Sequence, residues 1–164
     1  MSTNTNTNTS VYTAAAATTA VTAAASGALT RYAPVAGRAL LGGLFLISGL
    51  GKLAAPAATI GYIAAAGLPA PALAYAGALA VEIGLASALI AGYRTQLVAL
   101  LMAAFTLVTA FAFHFQPADQ GQVIHFLKNL AISGGLLQVA AFGAGAFSLD
   151  ALRGRRLRPA IAAA

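Results

Sequence analysis

The chain contains no cysteine and no tryptophan, and its 164 residues include only three acids, Glu82, Asp119 and Asp150. Without cysteine it cannot form a disulfide, hold an iron–sulfur cluster on thiolates or run thiol redox chemistry by itself. Charged residues make up 7% of the sequence and hydrophobic ones 60%, whereas a soluble domain carries about 25% charged residues. So little charge cannot cover a water-facing globule, which excludes an ordinary soluble enzyme. The apolar excess has to be hidden in a lipid bilayer, and the mean hydropathy of +0.84 agrees. Histidine is scarce too. His114 and His125 have no third neutral ligand near them in sequence, so no metal site is expected, and a haem held by the two imidazoles has no positive support.

What charge there is is basic. The formal net charge is +6, and Arg153, Arg155, Arg156 and Arg158 crowd together just after the last apolar run. Such a cluster fits the positive-inside rule and an anionic lipid surface. Nucleic acid is not an expected partner, because no basic stripe with interleaved aromatics exists elsewhere.

Residues 1–30 form a low-complexity tail, with Thr and Asn alternating up to Thr9 and Ala and Thr continuing to Ala28. The first ten residues are expected to be disordered and the Ala-rich part weakly helical, with an extra hydrophobic segment as the alternative. A secretory signal would open on a basic region, yet the first basic residue is Arg31. Residues 31–150 are the membrane domain, and residues 151–164 a basic cytoplasmic tail.

Four apolar spans follow, each near the roughly 20 residues that cross a bilayer as a helix. They run from about Pro34 to Ala55, Pro71 to Ala91, Thr95 to Phe115 and Gln122 to Phe147. Residues 57–66 are too few to cross, and Ile60, Tyr62 and Ile63 suggest a short helix at the interface. The links Gly92-Tyr93-Arg94 and Gln116 to Gly121 are short enough to force antiparallel neighbours. The expected fold is an all-α up-down-up-down bundle of four transmembrane helices. Arg31, Arg94 and the C-terminal arginines then fall on one side and Asp119 on the other, which puts both termini in the cytoplasm.

Glu82 is the most informative position, because a carboxyl group deep in an apolar helix costs several kcal/mol unless it is paired or protonated. At 1.5 Å per residue it lies roughly 8 Å in depth from Arg38 and roughly 9 Å from Lys128. Arg38 is the preferred partner, since a guanidinium forks onto a carboxylate and stays charged. Such a pair would pin the first two helices in register. A proton-accepting relay in a ligand pocket is the functional reading.

At the outer level Lys52 closes the first span, His114 closes the third, and His125, Lys128 and Asn129 open the fourth. Offsets of three and four residues share a helix face, so the last three should point together toward Phe111, Phe113, Phe115 and Phe126. Aromatic walls with a few convergent polar groups describe a small-molecule site, and a quinone head group needs donors of these kinds. The alternative is an interfacial aromatic belt with Lys52 and Lys128 snorkelling to water. On the second span Ala76, Ala80, Gly84, Ala88 and Gly92 recur every fourth residue, a pattern that lets helices approach closely. Packing inside the bundle explains it, with a homodimer through Ala80, Gly84 and Ala88 as the alternative. Two positions along a helix is about 200°, so Glu82 faces away from this stripe. Gly42-Gly43 and Gly134-Gly135 likewise read as close-packing points.

The ordered motifs Gly37-Arg38-Ala39-Leu40-Leu41-Gly42, Ser48-Gly49-Leu50-Gly51-Lys52-Leu53, Ala66-Gly67-Leu68-Pro69, Glu82 followed by Gly84, and Phe126-Leu127-Lys128-Asn129-Leu130 before Gly134-Gly135 resemble the DoxX family. The resemblance covers about residues 34–150. It implies a multi-pass protein of the bacterial inner membrane, from a family linked to thiosulfate:quinone oxidoreduction or to membrane complexes handling oxidative stress. By the same resemblance Arg38, Lys52, Glu82, Lys128 and Asn129 are the functional positions. The expected function is a membrane subunit that docks a redox partner and holds a quinone, at most a non-catalytic or quinone-binding part of an oxidoreductase. Any electron transfer then needs a cofactor that the chain does not visibly encode. The competing readings are a small proton-coupled transporter relaying through Glu82 and a purely structural assembly protein.

Overall fold

The computed structural model describes the backbone of residues 5–162 and the side chains of residues 26–155. Residues 1–4 of the Thr/Asn repeat and the side chains of Arg156 and Arg158 lie outside the described residues.

Helix α1 (Thr5–Ala54) contains the first span, Ser26–Ala54, and continues back through the tail. Residues 5–10, expected to be disordered, are helical instead. Extending an existing helix avoids the cost of nucleation, and the alanines that lead back from the span are the best helix formers. Helix α2 (Pro56–Ala65) starts on a proline, whose missing N–H is harmless in a first turn. It is the short helix expected between the first two spans.

The second span, Pro71–Ala91, is not one regular helix. It comprises α3 (Pro71–Leu79), a π-helical segment (Ala80–Leu85) and α4 (Ala86–Ala91). The third span is α5 (Thr95–His114) and the fourth is α6 (Gln120–Phe142). The fourth was expected to reach Phe147. It stops five residues earlier because Gly143 and Gly145 adopt φ of +80° and +75°, values that turn the chain out of a right-handed helix. The basic tail then forms α7 (Leu149–Ala162).

Among the described residues, four helical spans are long and apolar enough to cross a membrane. α5 packs along α6, and α1 lies against the π segment and α4. Phe45, Ala86, Leu89, Val98, Ala99, Met102, Ala103 and Leu136 form the core between them. Much of the remaining apolar surface, including Leu40, Ile47, Leu73, Val108, Leu127 and Leu137, faces outward. In lipid that is the natural outer wall, because helices already satisfy their own backbone groups.

Glycines on α1 bring the first two spans together. A Cβ on Gly42 would meet Ile90 Cγ1 at 2.5 Å, and one on Gly49 would meet Ile83 Cγ1 at 2.8 Å and Glu82 Cβ at 3.0 Å. Gly43 and Gly134 have open space instead, and Gly135 is in ordinary contact with Leu41. The stripe on the second span divides: Ala88 packs against the core and Gly92 is buried, whereas Ala76, Ala80 and Gly84 are exposed, and a Cβ on Gly84 would meet nothing within 4 Å. Glu82 faces away from it and is buried.

The two ends are held differently. At one end Asp150 Oδ1 accepts the Arg94 N–H at 2.8 Å, while Oδ2 accepts the Thr95 N–H at 2.9 Å and the Thr95 hydroxyl at 2.8 Å. The carboxylate thus caps the start of α5, whose first N–H groups have no partner within the helix. The Asp150 N–H returns a bond to Gly92 O at 2.9 Å. At the other end Asp119 caps α6, accepting from the N–H groups of Gly121 at 2.8 Å and Gln122 at 3.2 Å.

Candidate functional site

Arg38 does not reach Glu82. It is buried, and its Nη1 donates to the carbonyls of Leu89 at 3.1 Å and Ile90 at 2.9 Å while Nη2 donates to that of Phe147 at 2.7 Å. Leu89 and Ile90 lie in the last turn of the second span. Carbonyls there carry the negative end of the helix dipole, and although Leu89 O already accepts the Gly92 N–H at 3.1 Å it keeps a second lone pair, so both compete for the guanidinium from closer by than a carboxylate two turns away. Arg38 therefore fastens the end of the second span to the turn before α7.

The partner of Glu82 is Lys52. Nζ lies 2.9 Å from Oε1, to which it donates, and 2.9 Å from Oε2. It also donates to Ser48 Oγ at 2.8 Å. The Glu82 side chain is 7% exposed and that of Lys52 29%, so the lysine does not snorkel freely to water. Tyr75 steadies this turn of α1 by donating its hydroxyl to Lys52 O at 3.3 Å. The π segment carries Glu82, and Gly49 on α1 lets the two helices approach closely enough for the lysine one turn on to cover it.

The ion pair borders a cavity of about 540 Å³. Phe45, Val81, Phe105, Phe113 and Ile132 give it apolar walls, and Ser48, Lys52, Thr59, Glu82, Thr106, Thr109, His114 and Asn129 its polar ones. Tyr62 of α2 stacks on Phe113 with ring centroids 5.4 Å apart, closing one side. His114 is fixed by a 2.7 Å bond between Nδ1 and Gln122 Oε1, and its ring stacks on His125 at 5.2 Å.

Of the candidates expected at the outer level, the structure brings Lys52, His114 and Asn129 to the cavity, together with Glu82. His125 and Lys128 are exposed and do not line it. The three residues of the fourth span thus divide between two faces: one further residue turns the helix by about 100°, enough to take Asn129 inward and leave Lys128 outside. Phe111, Phe115 and Phe126 form their own ring cluster beside His125, with centroids 5.1 to 5.7 Å apart. Sequence reasoning missed Tyr62, Thr106 and Thr109 as wall residues. The threonines, three apart in an otherwise apolar span, share a face and were the available signal.

Comparison with known proteins agrees with this architecture. The DoxX family model matches residues 33–115, which takes in the first three spans with Arg38, Lys52, Glu82 and His114. The chain is 40% identical to the inner membrane protein YqjF of Escherichia coli over 119 residues, covering 73% of this chain and 90% of that one. It is 35% identical to the inner membrane protein YphA of the same organism over 112 residues, covering 65% of this chain and 80% of that one. No solved structure matches.

Proposed function

The chain belongs to the DoxX family and is a multi-pass inner-membrane protein, and from that premise we propose that its cavity holds a quinone or quinol ring on behalf of a membrane redox complex. One observation carries this reading: the Lys52–Glu82 pair, His114 and Asn129 converge on one apolar-walled cavity. A volume of about 540 Å³ falls within the roughly 300–1,000 Å³ of small-molecule sites. Phe105, Phe113 and Tyr62 offer faces for a flat ring, and Asn129 offers both a donor and an acceptor to its oxygens. The ring would supply the electron-carrying chemistry. The residues of the chain bind and orient it, exclude water and present hydrogen-bonding groups, while a partner protein brings the redox centre.

A haem between the two histidines fits the geometry poorly. Rings stacked face to face at 5.2 Å leave no gap for a porphyrin between them. A proton-coupled permease would also use Glu82, but here that carboxylate is tied to Lys52 and Lys52 to Ser48.

The test is equilibrium binding of duroquinone to the purified protein in lipid nanodiscs. Saturable binding is expected, and Gly77→Leu should abolish it, since Gly77 lines the cavity with open space around its Cβ position. Absence of saturable binding, or binding indifferent to Gly77→Leu, would favour the permease and assembly readings.

A further inference from the structure

We propose that the end of the bundle where α7 begins binds the headgroup of an anionic phospholipid, gripped between the side chains of Arg94 and Arg153. The cavity plays no part in this site.

This end carries more positive charge than the acids of the chain can balance. Of the three acids, Glu82 is paired with Lys52 and Asp119 caps α6 at the opposite end. Only Asp150 remains. Around it stand Arg94, whose N–H it accepts, Arg153, whose charge acts on its carboxyl, and Arg38, which lies against Gly92, the residue whose carbonyl takes the Asp150 N–H. Both carboxylate oxygens are already engaged in capping the start of α5. Among the described residues no acid forms a salt bridge with Arg94 or Arg153.

The two exposed arginines nevertheless converge, and Tyr93 is where they meet. The Arg153 guanidinium lies over its ring, 4.5 Å from the centroid. A hydrogen bond from Arg153 and the charges of Arg153 and Arg94 hold the Tyr93 hydroxyl below its usual range. Stacking occupies the flat face of a guanidinium and leaves N–H groups along its edges, the groups that fork onto a phosphate. Like charges held this close gain from an anion set between them.

The surroundings favour a lipid over a free phosphate. Ile90 and Leu97, each about one turn from Arg94, are exposed, as are Leu149 and Leu152 beside Arg153. In a bilayer, acyl chains cover such side chains while the headgroup sits at the level of Tyr93, a residue type favoured at that interface. The surplus of positive charge favours a headgroup with net negative charge over one that carries its own ammonium.

The experiment is native mass spectrometry of the full chain in mild detergent, titrated with dioctanoyl phosphatidylglycerol, dioctanoyl phosphatidylcholine or glycerol 1-phosphate. The phosphatidylglycerol should bind saturably and at least about tenfold tighter than the phosphatidylcholine, as two arginines at a membrane surface imply. Glycerol 1-phosphate, with the anion and no chains, should bind at least about tenfold more weakly. The double variant Arg94→Asn, Arg153→Gln should erase the preference for phosphatidylglycerol; asparagine tolerates the left-handed backbone of position 94, where φ is +45°. Arg156→Gln, Arg158→Gln removes the same charge farther along α7 and should leave the preference in place. Equal affinities for the two lipids on the wild type overturn the proposal without any variant having to fold. Glycerol 1-phosphate binding as tightly as the anionic lipid overturns the lipid as occupant. Equal losses in the two double variants overturn the site, leaving only diffuse attraction to a basic tail.

Discussion

The guanidinium of Arg38 occupies the space that a side chain on Gly92 would need. A Cβ there would collide with Nη1 and with Ser148 Cβ, at a backbone φ of +69°. A non-glycine residue in this left-handed region costs about 1–2 kcal/mol before any clash. Gly92→Ala should therefore lower the detergent melting temperature clearly. Gly134→Ala, in a helix with open space around it, should raise stability by up to about 1 kcal/mol.

Removing Lys52 leaves the Glu82 carboxylate buried without its counter-charge. Lys52→Ala is expected to cost about 3–5 kcal/mol, and Glu82→Gln less, because a neutral amide is cheaper to keep in the bundle. The pair Lys52→Met, Glu82→Leu should recover most of the loss. Chemical denaturation in mild detergent reads all three, and equal small effects would show that the ion pair contributes nothing.

Acid should loosen the end where α7 begins. Burial pushes the Asp150 carboxyl up, but bonds from the Thr95 N–H, the Thr95 hydroxyl and the Arg94 N–H, together with the charge of Arg153, outweigh it and hold it below the usual carboxylate range. A depressed folded value means that the stabilisation is fully present above about pH 4, the ordinary range of a free Asp, and is lost as the pH falls through the folded value. Melting curves below pH 4 should show wild type losing stability more steeply than Asp150→Asn.

Within the fourth span, adjacent residues should behave oppositely toward a ring ligand. Asn129→Leu is expected to weaken duroquinone binding by about 1–3 kcal/mol. Lys128→Ala should leave it unchanged, since Lys128 is exposed and off the cavity wall. The same titration on both variants checks this.

Reporter fusions test the orientation. With arginines at both ends and in the link after the second span, a fusion after Ala164 should report from the cytoplasm and one at Asp119 from the periplasm. The reverse pattern would invert the topology.

Hydropathy made the four spans and their alternation legible, and the isolation of Glu82 among apolar residues made its burial legible. Its partner was not. Rise per residue gives depth along each helix but not the direction a side chain takes around it, and it says nothing of the helix-end carbonyls of Leu89 and Ile90 that attract Arg38 first. The threonines of the third span were hidden for a different reason: Thr106 and Thr109 satisfy their hydroxyls on their own helix, so an apolar segment tolerates them without a break in pattern. The early stop of the fourth span was written in Gly143 and Gly145, but a glycine reveals a turn only once its φ is known.

The π segment acts on the second span as a phase correction. In an uninterrupted α-helix each step of four residues overshoots a full turn by about 40°, so Ala78, Glu82 and Ala86 would fan out over about 80°. Turns closed by i→i+5 bonds are wider and advance less per residue, which takes that drift back across residues 80–85. All three side chains consequently come to rest on the buried side. The carboxylate owes its inward bearing as much to the rotation stored in the backbone around it as to the lysine that faces it.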